Sequence, residues 1–136
     1  MQPFMKISKR EDFAIIFMSH LARQKSKEFL SLTKIAKSTG LSSFFLKHIA
    51  LELKNKGLIE SREGVIGGYR LKKSPGEISA AEILSAVSKE IVKTACYDGD
   101  CRLTSTKCIC HSFWGRFNLK LASILNQVSL AEIAKI

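Results

Sequence analysis

All four cysteines of this 136-residue chain fall between positions 96 and 110, and a histidine follows at 111. Their spacing is Cys96-x4-Cys101-x6-Cys108-x-Cys110-His111. Residues of these types hold zinc or iron, or they act as redox thiols. A structural zinc site usually draws on two pairs of closely spaced ligands. Cys96 and Cys101 make a fair first pair, whereas Cys108-x-Cys110 is tight for two ligands of one tetrahedral ion. An iron–sulfur cluster wants three or four thiolates on a flexible loop and tolerates varied spacing. Structural disulfides suit a secreted chain better. Spacing alone leaves cluster, zinc and free or redox thiols open.

The elements that must position these thiols begin with a basic half. Residues 1–73 hold fifteen Lys and Arg against six Asp and Glu, so they carry +9 of the formal +10. Polyanions are the natural partners of such a module. Ser8-Lys-Arg-Glu11 has the form of a helix capping box. Phe13, Ile16, Phe17, His20 and Leu21 continue at helical spacing, which predicts a first helix over about 9–23. Ser31 can cap a short second helix carrying Ile35 and Ala36 and ending near Thr39-Gly40. Ser42 can cap a third, whose apolar positions Leu46, Ile49, Ala50 and Leu53 fall at i, i+3, i+4 and i+7, with Gly57 ending it.

Helix, glycine turn, helix is the pattern of a helix-turn-helix. Leu58–Glu60 and Tyr69–Leu71 can form short strands around the glycine-rich SREGVIGG, which makes a β-wing. DNA binding follows as the expectation. The third helix would enter the major groove and present Ser43, Phe44, Lys47, His48 and Lys54. Lys47 could donate to guanine, Ser43 could bond a base or phosphate, and Phe44 could touch a thymine methyl. Phe44 and, more so, Phe45 could instead pack on the first helix, and His48 could be a solvated helix residue. Arg62 at the wing could reach a phosphate or the minor groove, and Tyr69 is a further candidate for DNA contact.

In the second half, Lys72–Gly76 reads as a connector in which Pro75 prevents helix. Ser79-Ala-Ala-Glu82 is a further capping box opening a helix with Ile83, Leu84 and Val87. From about Lys107 a long helix can run to about Gln127, with Phe113, Trp114, Phe117, Leu121, Ile124, Leu125 and Val128 on a broad apolar face. Such a face suits a two-fold dimer, and its DNA sites would be inverted repeats with half-sites ~34 Å apart. The expected organisation is a winged helix-turn-helix over 1–73, a connector and short helix over 74–91, a cysteine-rich cluster loop over 92–110 and a dimerisation helix over 107–129. The fold class is mostly α with a small β-wing. No apolar run approaches the ~18 residues of a membrane span. The start, MQPFMKISKRED, lacks the apolar core of a secretion signal, so a cytoplasmic protein is expected. Nothing supports catalysis, since the GVIGG run sits at a hairpin tip and opens no helix.

With these motifs in order, the chain resembles the IscR/NsrR family of winged-helix regulators, the Rrf-type repressors. The resemblance spans about residues 5–133. It rests on MKISKREDFAIIFMSHLA, KNKGLIESREGVIGGYRL and ISAAEILSAVSKE, and on the three-cysteine loop ending in Cys108-Ile-Cys-His111-Ser-Phe-Trp114. It implies a dimeric transcription factor sensing iron–sulfur status, nitric oxide or redox state through a 2Fe–2S or 4Fe–4S cluster. Cys96, Cys101 and Cys108 match the family's cluster cysteines. His111 matches the fourth ligand of IscR-like members, and Asp12 the aspartate that NsrR-like members supply from the other subunit. Cys110 is a departure and a further candidate thiolate. Lys47 stands where IscR-like members often carry glutamate, so their site preference does not transfer. Glu63, rather than arginine, precedes Gly64 in the wing. Zinc-bound or thiol-switched DNA binding is the nearest alternative, and an iron–sulfur carrier or small redox protein the remoter one.

Overall fold

The computed structural model describes residues 7–24, 27–88, 92 and 108–136. Cys96 and Cys101 lie outside these residues. Among the described residues six α-helices run in order: α1 (Lys9–Arg23), α2 (Leu32–Thr39), α3 (Ser43–Asn55), α4 (Ala80–Val87), α5 (Ile109–Asn126) and α6 (Leu130–Ala134). Between α3 and α4 lie strands β1 (Ile59–Arg62) and β2 (Gly68–Leu71). They pair antiparallel, from Ile59 opposite Leu71 to Arg62 opposite Gly68. The chain is mostly helical with a two-stranded wing, as the sequence predicts.

The starts of α2, α4 and α6 follow from capping chemistry. Ser31 accepts from the Lys34 N–H, and Ser79 and Glu82 exchange bonds as a reciprocal box. Ser8 behaves differently: its hydroxyl donates to the Glu11 carboxylate and makes no bond to the backbone of the first turn. Ser42 also precedes its helix without a side-chain cap. Gly40 ends α2 at φ 74°, a left-handed conformation that only glycine adopts without cost. That turn sets α2 against α3.

α1 is the central element and packs against α3, α4 and α6. Its Phe17 and Met18 are fully buried with Ile35 of α2, Leu46 and Leu53 of α3, Ile59 of β1, Ile83 of α4 and Leu130 of α6. The wing is rooted in this core. Leu30 exchanges two backbone bonds with Tyr69, of 2.8 and 2.9 Å, extending the hairpin by one bridge. A Cβ on Gly68 would stand 2.3 Å from the Leu30 carbonyl oxygen, so a side chain there is incompatible with the bridge.

Two expectations need correction. The connector holds a single 3-10 turn, Pro75–Glu77, with Pro75 at its first position, where the missing N–H is no loss. Beyond the long helix, α6 is an element with no counterpart in the expected organisation. Ser129 caps it, and the Arg23 Nε donates to the Ala134 carbonyl from the end of α1 at 3.1 Å.

Candidate nucleic-acid interface and cysteine turn

α2 and α3 form the two helices of the reading unit. α3 turns Leu46, Ile49, Ala50 and Leu53 inward. Ser43, Phe44, Lys47, His48 and Lys54 are all exposed. The structure thus brings the expected readers together on the outer side of one helix. Phe45 is partly covered against the first helix: it is 56% exposed and makes an edge-to-face contact with Phe13 of α1, at 6.4 Å between centroids. Phe44 stands on Phe45 at 5.9 Å and on the His48 imidazole at 4.7 Å. His48 therefore props Phe44, and an aromatic chain runs from α1 to the exposed start of α3.

At the wing, the side chains are more committed than their sequence suggests. Tyr69 is half-buried, with its ring edge-to-face on Phe17 at 5.7 Å. The Arg62 guanidinium lies 4.6 Å from the centre of the Phe29 ring and donates to the Ile66 carbonyl at 3.3 Å. Arg70 is 4.4 Å from the same ring and pairs with Glu60. Two cations thus flank Phe29 at the wing's base, and the tip presents Val65 and Ile66, both strongly exposed. Phe29 was not among the expected functional residues, because a lone aromatic in a polar stretch gives no sequence signal.

The cysteine turn opens α5. Cys108 is its N-cap and is half-buried, while Cys110 and His111 are exposed in the first turn. The Cys108 thiol is held below its ordinary pKa, chiefly by the backbone N–H of His111 and then by that of Cys110, with burial opposing. The cause is the positive end of a helix, whose free N–H groups favour a thiolate. Asp12 is exposed in the first turn of α1. Among the described residues no group of three or more His, Cys, Asp and Glu side chains converges as a metal site. Farther along, Phe113, Trp114 and Phe117 form an aromatic cluster with centroids 4.9–6.2 Å apart. No residue of α5 is buried, although the helix packs on α4. Ile109, Leu119 and Ile124 are more than half exposed.

Residues 7–136 match the Rrf2 family model, described as an iron-dependent transcriptional regulator. The chain belongs to the Rrf2 family. The HTH-type transcriptional regulator IscR of Vibrio atlanticus is 29% identical over 132 residues, covering 96% of this chain and 76% of the relative. CymR of B. subtilis, described as the global cysteine regulator of that organism, superposes with a TM-score of 0.76 at 26% identity, over 97% of this chain and 98% of the other. The oxidised form of Staphylococcus aureus CymR superposes at 0.71 with 27% identity, over 97% and 98%. This Rrf2 chain is therefore a DNA-binding winged-helix transcription regulator and not an enzyme. None of its described helices is long and apolar enough to cross a membrane.

Proposed function

We propose that this Rrf2 protein is a homodimeric regulator whose operator affinity is set by an iron–sulfur cluster on its cysteine segment. The observation that carries the reading is the Cys108 thiol, poised toward thiolate at the start of the helix that faces outward. A thiolate at a helix N-terminus suits the donor set a cluster needs. The remaining ligands are Cys96, Cys101 and one of Asp12, His111 and Cys110. A bound cluster would supply iron chemistry open to nitric oxide, oxygen and iron loss.

The chain's own residues do the rest. Ser43, Phe44, Lys47, His48 and Lys54 would meet the major groove, with His48 acting as the support for Phe44. Arg62 would lend its charge to the side of the wing, and Tyr69 would hold the wing to the core. The exposed apolar side of α5 would bury itself against the same helix of a second copy. Two recognition helices would then read an inverted repeat with half-sites ~34 Å apart. A change in ligation would alter the tie between α5 and the winged domain and hence the gap between the two helices. Base contacts tolerate little such error.

Anaerobic purification tests this through visible absorption, iron and sulfide content, and operator binding. A second reading is a thiol switch, favoured by the activated Cys108 with exposed Cys110 two residues on. Peroxide sensitivity of operator binding in C101S and C110S variants, with zinc content measured alongside, separates it from the first.

A further inference from the structure

Arg10 is part of the first turn of α1, yet its guanidinium serves two other helices. Its Nη2 pairs with Oε1 of Glu52 on α3, and its Nε donates to the carbonyl of Val87, the last residue of α4, at 3.4 Å. An exposed ion pair would be a weak tie. This one is stronger in consequence, because Glu52 Oε2 is buried and has no hydrogen-bond partner among the described residues. Taking Arg10 away would leave a half-covered carboxylate with neither oxygen compensated.

Val87 is where α4 hands the chain on toward the cysteines. Val92 is held in turn by Asn118 of α5: its N–H donates to Asn118 Oδ1 at 3.3 Å, and its carbonyl accepts from Nδ2 at 3.2 Å. Asn118 also donates to the Trp114 carbonyl at 3.1 Å, which keeps its amide oriented. The chain leading to the cysteines is thus tied to α5 at Val92, and the end of α4 is tied at Val87, through Arg10, to Glu52 of the recognition helix.

We propose that Arg10 is a positioning residue that couples the root of the cysteine segment to the recognition helix through Glu52. The proposal rests on reading α3 as the DNA-contacting helix and the cysteine segment as the sensor. A displacement of the last turn of α4 moves the Val87 carbonyl, and the guanidinium bonded to it moves Glu52 in the C-terminal half of α3. Contact is not coupling, and a double-mutant cycle measures the difference.

The cycle uses the full chain, metal-free and reduced, with an operator selected by the wild-type protein from random duplexes. N118A releases Val92 without touching Arg10. The expected result is that N118A changes operator affinity by about 5- to 10-fold when Arg10 is present and by no more than about 2-fold in R10A. R10K should keep part of the effect. A purely structural Arg10 would lower affinity equally with and without N118A, so additive effects overturn the proposal. So does an N118A variant that binds as the wild type does. If R10A does not fold, Arg10→Met, which keeps the aliphatic stem, takes its place in the cycle. The absorption spectrum after anaerobic iron and sulfide loading is recorded separately. A coloured protein with an additive cycle sinks the coupling alone, and a colourless protein with a non-additive cycle sinks the cluster alone.

Discussion

Cys108 and Phe44 show how backbone position turns an ordinary side chain into a candidate functional one. Cys108 owes its lowered pKa to the free amides at the start of α5. Because the thiolate is the reactive form, a lower pKa moves alkylation toward lower pH. In the metal-free protein with the other three cysteines replaced by serine, the rate of Cys108 alkylation should rise at a pH below that of a free thiol. A midpoint at or above that of a model thiol would contradict the assignment. Phe44 is 67% exposed and fixed by Phe45 and His48. If it covers a thymine methyl, replacing that thymine by uracil should weaken binding about 4-fold, the worth of one buried methyl at about 0.8 kcal/mol. F44A should abolish the difference, and titrations on the two duplexes measure it. The cysteine spacing and the exposed side of α3 were legible in the sequence because each is a local pattern. The fate of Arg62 was not, since it depends on Phe29, far from it in the chain. Arg10, Glu52 and Asn118 also gave no signal: their partners lie 42, 42 and 26 residues away.

At the scale of the elements, α1, α2 and α3 follow the periodicity and glycine punctuation closely, since Phe17 and Leu21 of α1, Ile35 of α2 and Leu46, Ile49, Ala50 and Leu53 of α3 all face one core. α6 escaped because five residues carry too little periodicity to be seen. It is held by its Ser129 cap, by Leu130 and Ala134 in the core, and by Arg23 from α1. The wing depends on a glycine for a reason visible only in three dimensions. Gly68 has φ 149° and faces the Leu30 carbonyl. Gly68→Ala should therefore destabilise the protein by about 1–3 kcal/mol, in the range of a strained backbone position. Urea unfolding checks it, and a change within about 0.5 kcal/mol would show that the Leu30 bridge gives way easily.

For the whole molecule, the formal positive charge is concentrated in the half that holds the helix-turn-helix and the wing. The core of the described residues closes around α1, whereas no residue of α5 is buried in the single chain. A helix of 18 residues with no buried position gains little by standing alone. In the proposed dimer a second copy would supply the missing cover. Ile124→Glu combined with Leu119→Glu should convert a dimer to monomers by analytical ultracentrifugation, and should weaken operator binding at least 10-fold by removing the second reading head. A wild-type protein that sediments as a monomer at micromolar concentration would contradict this arrangement.

The most direct test of iron–sulfur control is operator affinity measured anaerobically on one preparation before and after cluster loading, with absorption and iron content recorded on the same samples. The expected result is a coloured, iron- and sulfide-containing protein whose affinity differs at least about 5-fold from the stripped form, the lower end of typical allosteric coupling. Serine at Cys96, Cys101 and Cys108 should remove both the colour and the difference. A loaded protein that binds its operator as the stripped one does, or one that takes up no iron, would contradict iron–sulfur control.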